Sequence, residues 1–216
     1  MVKSEAEQKT GIFGGTFNPF HMGHLNAAES VFNTLGLKEI IFIPVYIPPH
    51  KGCSSLESSV DRIEIIKKSI EGRTCFNVSD LEIKRKGLSY TIDTLEEIRI
   101  SKNRELVFIM GSDSFLNFKK WHRYKDILKT ASIAVVSRPG FEPDIKCSGV
   151  EGYYLKNKGH YLHRKYKDIY FIKINETDIS STDIREMIKK KKNIRAYIHE
   201  KAADYIEEKG LYKNEK

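Results

Sequence analysis

Gly11-Ile-Phe-Gly-Gly-Thr-Phe-Asn-Pro-Phe-His-Met-Gly-His-Leu25 is the stretch whose reading decides the fold. Its first residues, Gly11 to Gly14, are a short apolar run, the pattern of a buried strand. A turn containing Gly14 and Gly15 follows, and then a helical pattern from His24 to Leu35. In an open α/β sheet, ligands gather at the carboxyl ends of strands, where helix N-termini present unpaired amides and a positive dipole. Glycines there let the backbone approach a ligand with no side chain in the way. His21 and His24 stand three residues apart and share one side of a first helical turn. Gly23 leaves that side open, and two imidazoles there can donate to phosphate oxygens. Taken singly, each feature has a plainer reading, as a structural histidine or an ordinary tight turn. The stretch contains neither G-x-G-x-x-G nor G-K-[ST], so it is neither the dinucleotide fingerprint nor a Walker A loop.

Outward from this stretch, apolar runs recur at Ile40–Pro44, Phe76–Val78, Leu106–Met110, Ile133–Val136 and Ile169–Ile174. Most are apolar throughout rather than alternating, as strands covered on both faces are. Helical patterns lie between them. Ser59–Ile70 carries Val60, Ile63, Ile66 and Ile70, and Thr91–Ile100 carries Ile92, Leu95, Glu96 and Ile98. Strand alternating with helix predicts an α/β, Rossmann-like, doubly wound parallel sheet. Residues 139–167 have weak periodicity and read as a long loop or irregular insert. After Ile174 the pattern turns helical, at Thr182–Lys191 and Glu200–Glu208, with Ser181-Thr182-Asp183 as a start signal and Gly210 as a stop. The expected organisation is one domain over 1–216, an α/β core at 11–178 followed by C-terminal helices at 179–216, with no internal repeat.

The chain has 216 residues, of which 40% are hydrophobic, so a sizeable core can form and a disordered chain is excluded. No apolar run approaches the roughly 20 residues a spanning helix needs, and the polar Met1–Thr10 has no signal-peptide core. A cytoplasmic protein that does not touch membrane is expected. Cys53, Cys75 and Cys147 form no C-x-x-C pair and read as free thiols. The net charge of +8 favours anionic partners, nucleotide phosphates and nucleic acid alike. Much of it sits in Lys189–Lys192 and Lys156–Lys167, and such runs are usually solvated faces.

A second informative stretch is Ile179-Ser-Ser-Thr-Asp-Ile-Arg185. Hydroxyls and free amides open a helix here, and Arg185 lies on the side of Thr182, able to bind two phosphate oxygens at once. Capping plus a surface arginine is the equally weighted alternative. Together, G-G-T-F-N-P-F-H-M-G-H and I-S-S-T-x-I-R resemble the two signatures of the HxGH nucleotidyltransferases. The resemblance implies that His21 and His24 bind the triphosphate and stabilise charge as pyrophosphate leaves. It also implies that two anion sites from opposite ends of the chain grip one polyphosphate.

Three middle segments narrow the family. Pro48-Pro-His-Lys51 follows a strand and brings a cation towards the phosphates. Lys86-Gly-Leu-Ser-Tyr-Thr-Ile-Asp-Thr94 leads into a helix whose first amides, near Thr91, suit a small carboxylate. Gly111-Ser-Asp-Ser-Phe115 places Asp113 at a strand end, where it can accept from sugar hydroxyls or form a turn. Trp121, the only tryptophan, sits beside His122 and can stack on a flat ring or pack into the core. The order of these segments, with Arg138-Pro-Gly140 between the tryptophan and the late signature, is similar to that of the nicotinate-nucleotide adenylyltransferases over about residues 11–212.

That resemblance implies that ATP and nicotinate mononucleotide join to give nicotinate adenine dinucleotide and pyrophosphate, a step towards NAD. It implies catalytic roles for His21, His24, Lys51 and Arg185. ATP would lie on Gly14, Gly15, Thr16, Phe17, Asn18, Gly111, Asp113, Ser180, Ser181 and Thr182, and the mononucleotide on Thr91, Trp121 and His122. Mg2+ would accompany ATP without a dedicated protein site. Phe20 stands where the family commonly has proline, and His122 where it has an aromatic hydroxyl. The alternatives are a relative acting on another phosphate monoester, such as pantetheine phosphate, and a non-catalytic RNA-binding module using Lys156–Tyr170. No nucleic-acid partner is expected on the favoured reading, and a homo-oligomer is compatible with it.

Overall fold

The structure is a computed structural model and describes residues 9–49, 56–102, 104–137, 145–174 and 179–213. All six runs read as strands form strands: β1 (Thr10–Gly15), β2 (Glu39–Pro44), β3 (Phe76–Val78), β4 (Leu106–Gly111), β5 (Ala131–Ser137) and β8 (Ile169–Lys173). Two more, β6 (Tyr154–Asn157) and β7 (His160–Leu162), fall in the stretch expected to be irregular. The sheet order is β3-β2-β1-β4-β5-β8-β7-β6. Pairing is parallel from β3 through β8 and antiparallel at β7 and β6.

Alternate residues of each central strand enter separate cores. Phe13 and Phe42 pack on one face with α1 (Met22–Leu35), α7 (Ser181–Lys189) and α8 (Glu200–Lys209). Ile12, Ile41 and Phe108 pack on the other with α4 (Thr91–Lys102) and α6 (Tyr124–Thr130). Both faces are therefore covered, which is why these strands read as continuous apolar runs. Gly11 has a packing reason of its own, because a Cβ there would lie 2.8 Å from Leu37 and 2.9 Å from Ile40.

Several expectations need correction. α1 starts at Met22, with His21 in the capping position, rather than at His24. The helix α2 (Ser59–Ile70) buries Arg62, Ile65, Ile66, Ser69 and Ile70, while Val60 is 67% exposed. The inward face thus includes a guanidinium at its N-terminal end, which apolar spacing cannot reveal. Short helices α3 (Leu81–Arg85) and α5 (Ser112–Leu116) were too brief to show a period. The β6–β7 hairpin escaped because β6 is exposed at every position and lacks the alternation of a half-buried strand. α7 is capped by Ser180, whose Oγ accepts the Asp183 amide at 3.2 Å, rather than by the three residues after it. Lys189–Lys192 are all exposed, the solvated end of α7.

Candidate active site

β1 pairs with β2 on one side and β4 on the other, so the chain winds in opposite directions from β1. The crevice that must open at the carboxyl ends of such strands is present, with a volume of about 940 Å3. Gly14, Gly15 and Gly111 form its floor. The loop Thr16–Asn18, the α1 start, the α4 start, the Trp121–His122 turn and the α7 start form its walls.

The α1 start is held by aromatic packing. Phe17 adopts φ +46°, a left-handed conformation that costs about 1–3 kcal/mol in a side-chain-bearing residue. It is held there by Phe13 and Phe20, whose centroids lie 5.7 and 5.4 Å away. His24 stacks on Phe20 at 5.3 Å and meets the Phe17 ring nearly perpendicularly at 5.1 Å. The two imidazoles lie 3.8 Å apart, centroid to centroid. The His21 amide donates to His24 Nδ1 at 3.3 Å. In the neutral ring the proton then sits on Nε2, which makes that nitrogen a donor.

The late signature folds onto this loop. Ser181 Oγ donates to the Pro19 carbonyl at 2.9 Å, and Arg185 Nη1 to the Asn18 carbonyl at 2.8 Å. Arg185 Nη2 also donates to Thr182 Oγ1 at 3.2 Å. His21, His24 and Arg185 therefore line one cleft. The hydroxyls of the late stretch are partly committed: that of Ser180 to capping and that of Ser181 to the loop. Backbone amides of α7 remain the natural anion donors of that wall. The Asn18 side chain is likewise engaged, its Oδ1 accepting the Glu57 amide at 3.1 Å.

On the opposite wall, Trp121 is half-buried against Phe108 and Phe118, at 6.0 and 5.6 Å, and still lines the cleft. Packing and ligand-facing exposure are thus both present. His122 lies on Tyr90 at 4.4 Å, next to Thr91 at the start of α4. Arg123, in the left-handed region at φ +51°, ties this turn to α4 through Glu96 at 2.7 Å and to Asp126 at 3.0 Å. Gly111 precedes α5 and Asp113 lies in its first turn, both exposed at the cleft. Lys51 and His50, and Arg138–Gly140, lie outside the described residues.

Two charged residues important to the site carried no sequence signal. Arg62 is 2% exposed, donating from Nη1 to the Thr16 carbonyl at 2.8 Å and from Nε to the Glu57 carbonyl at 3.1 Å. Desolvation lowers its pKa, with Tyr212 and Glu82 opposing. Glu82 of α3 is 5% exposed and lines the cleft. Burial raises its carboxyl pKa, with hydrogen bonds from Thr94 and Ser89 and the charges of Arg85 and Arg62 acting in the other direction.

Among the described residues, no group of three or more His, Cys, Asp or Glu is placed to hold a metal ion. The α1 and α7 starts instead present imidazoles, a guanidinium and amides to the cleft. Such a donor set fits a hard cation that arrives on phosphate oxygens with its waters, not one caged by carboxylates.

Known proteins are similar to this chain along most of its length. The cytidylyltransferase-like family matches residues 12–187. A probable nicotinate-nucleotide adenylyltransferase of Desulfitobacterium hafniense is 39% identical over 207 residues, 95% of this chain and 96% of that protein. One from Clostridium tetani is 40% identical over 207 residues, 95% of this chain and 100% of that protein. The fold is also that of the Plasmodium falciparum nicotinic acid mononucleotide adenylyltransferase complexed with NaAD, with a TM-score of 0.73 at 21% identity, covering 95% of this chain and 97% of that one. With an HxGH-bearing strand–loop–helix clamped by Ser181 and Arg185 and relatives matched along nearly its whole length, the chain belongs to the nicotinate-nucleotide adenylyltransferases of the cytidylyltransferase-like family.

Proposed function

We propose that this enzyme joins ATP and nicotinate mononucleotide to form nicotinate adenine dinucleotide and pyrophosphate. The observation that carries this reading is the convergence of His21, His24 and Arg185, from opposite ends of the chain, on one cleft whose other wall holds Thr91, Trp121 and His122. A 5′-phosphate oxygen of the mononucleotide attacks the α-phosphorus of ATP. The new P–O bond forms as the bond to the β-phosphate oxygen breaks, and pyrophosphate carries away the electron pair. No protein nucleophile takes part, so the rate comes from positioning and charge stabilisation.

On this reading, Gly14 to Asn18, with Gly111 and Asp113, seat the adenosine and phosphates of ATP. The imidazoles of His21 and His24 and the guanidinium of Arg185 donate to the polyphosphate, joined by Lys51. Amides at Ser181 and Thr182 receive its far end, while the Ser180 amide is held by Asp183 in the cap. Trp121 stacks on the pyridine ring, and Thr91 and His122 flank its carboxylate. Magnesium carried by the triphosphate supplies charge neutralisation when bound. The proposed setting is the cytosol. No helix among the described residues is long and apolar enough to cross a membrane. Residues 1–216 act as one nucleotidyltransferase domain, without a nucleic-acid partner.

The test is pyrophosphate release with the acid and amide mononucleotides offered side by side, and pantetheine phosphate as a third substrate. Turnover with the acid form is expected to dominate. Preferential turnover of pantetheine phosphate would move the enzyme to another branch of the superfamily.

A backbone test addresses the phosphate loop. A Cβ at Gly15 would come within 2.9 Å of the Phe17 ring, which is 1% exposed and has nowhere to retreat. Gly15→Ala is expected to shift the Phe17–His24 pair and lower kcat by about tenfold, because small misplacements of reacting groups are costly. Wild-type kcat in this variant would show that the loop tolerates the displacement.

A further inference from the structure

Glu82 is an unusual residue to find in the wall of a cleft built for anions. Its carboxyl is almost wholly buried. Thr94 Oγ1 donates to Oε1 at 2.7 Å, and the Ser89 hydroxyl lies near enough to favour the ionised carboxyl. Oε2 is buried with no hydrogen-bond partner among the described residues. A buried, half-satisfied carboxyl costs free energy, so some other benefit must account for it.

The hydroxyls it gathers belong to the segment that opens α4. Ser89 Oγ in turn accepts the Tyr46 amide at 3.0 Å, from the chain leaving β2. Thr94 Oγ1 accepts from Arg85 Nη2 at 2.8 Å while donating to Glu82. One hydroxyl thus relays between a cation and a carboxyl of the same short helix, as its one donor and two acceptor sites permit. Thr91 and Tyr90, with His122 lying on the Tyr90 ring, fall between these two anchors. The Thr94 hydroxyl, in the first turn of α4, is therefore turned onto Glu82, with Ser89 beside it.

We propose that Glu82 is a positioning residue for the mononucleotide half of the cleft, fixing the α4 start through the Thr94 hydroxyl. The ATP half is held by separate hydrogen bonds from Arg62, Ser181 and Arg185, and Glu82 acts on it only through its charge near Arg62. This assignment rests on the function proposed above, and its signature is an effect on one substrate only.

The experiment measures KM for each substrate in turn at saturating levels of the other, with thermal unfolding as a check on folding. Glu82→Ala is expected to raise KM for nicotinate mononucleotide by about tenfold or more while KM for ATP stays within about twofold, the scale of losing one or two charge-assisted hydrogen bonds. Glu82→Gln keeps an acceptor for Thr94 and is expected to recover most of that loss. Thr94→Val removes the relay while keeping the side chain's shape, is expected to reproduce the selective KM rise, and carries the test if Glu82→Ala does not fold. An unchanged mononucleotide KM, or an equal rise in both KM values, overturns the role of Glu82 and leaves the function standing. A wild-type enzyme that turns over no pyridine mononucleotide overturns both.

Discussion

His24→Ala is expected to lower kcat by about a hundredfold or more, the loss typical when a transition-state donor is removed. The ring is set for donation before any substrate arrives. Its Nδ1 is occupied by the His21 amide, and its faces are fixed by Phe20 and Phe17. A preoriented donor gives up little freedom when charge develops on the departing phosphate, and alanine supplies no replacement. The loss should appear mainly in kcat, with a smaller change in KM for ATP, since the ground-state contacts proposed for the amides and Arg185 are left in place. Pre-steady-state measurement of pyrophosphate release isolates the chemical step. Near-normal turnover in a folded His24→Ala enzyme would remove the histidine from the transition state.

The largest effect on stability is expected at Arg62. Arg62→Met keeps much of the aliphatic volume but removes the donors to the Thr16 and Glu57 carbonyls. Two carbonyls at a largely buried site lose partners, a cost of about 1–3 kcal/mol each, partly offset because a desolvated charge is no longer buried. A net loss of about 3 kcal/mol corresponds to a fall in Tm of about 6–12 °C for a chain of this size. Activity should fall as well, because Thr16 belongs to the loop after β1 that lines the cleft and the Glu57 amide holds Asn18. The carboxylate of Glu57 also accepts the Tyr212 amide at 2.9 Å, so the network reaches the last turn of the chain. Unchanged Tm and kcat in Arg62→Met would show that the loop holds its shape without the guanidinium.

Much of the fold was legible because its signals are local. Each of the six apolar runs became a strand, since a strand buried on both faces needs no partner-specific information to be recognised. The α4 residues Ile92, Leu95 and Ile98 are buried as their spacing implied, and Glu96 from the same list faces outward to Arg123. Gly210 ends α8 in the left-handed conformation expected of a glycine stop. The places where expectation failed share one cause. The edge hairpin is set by the backbone pairing of β7 with β8, the inward face of α2 by the carbonyls that Arg62 meets, and α3 and α5 by their surroundings, none by a period of its own.

From the chain alone came the alternating α/β order, the glycine-bearing turn after the first strand, and the histidine and hydroxyl–arginine signatures. Each is a pattern of near neighbours, governed by backbone freedom and side-chain spacing. Only the folded molecule decided that Arg185 would reach the carbonyl of Asn18, 167 positions earlier, and that Arg62 and Glu82 would be drawn inward. Such choices depend on which donor meets which acceptor once distant segments are brought together, and a hydrogen bond across that separation leaves no periodic trace in the sequence.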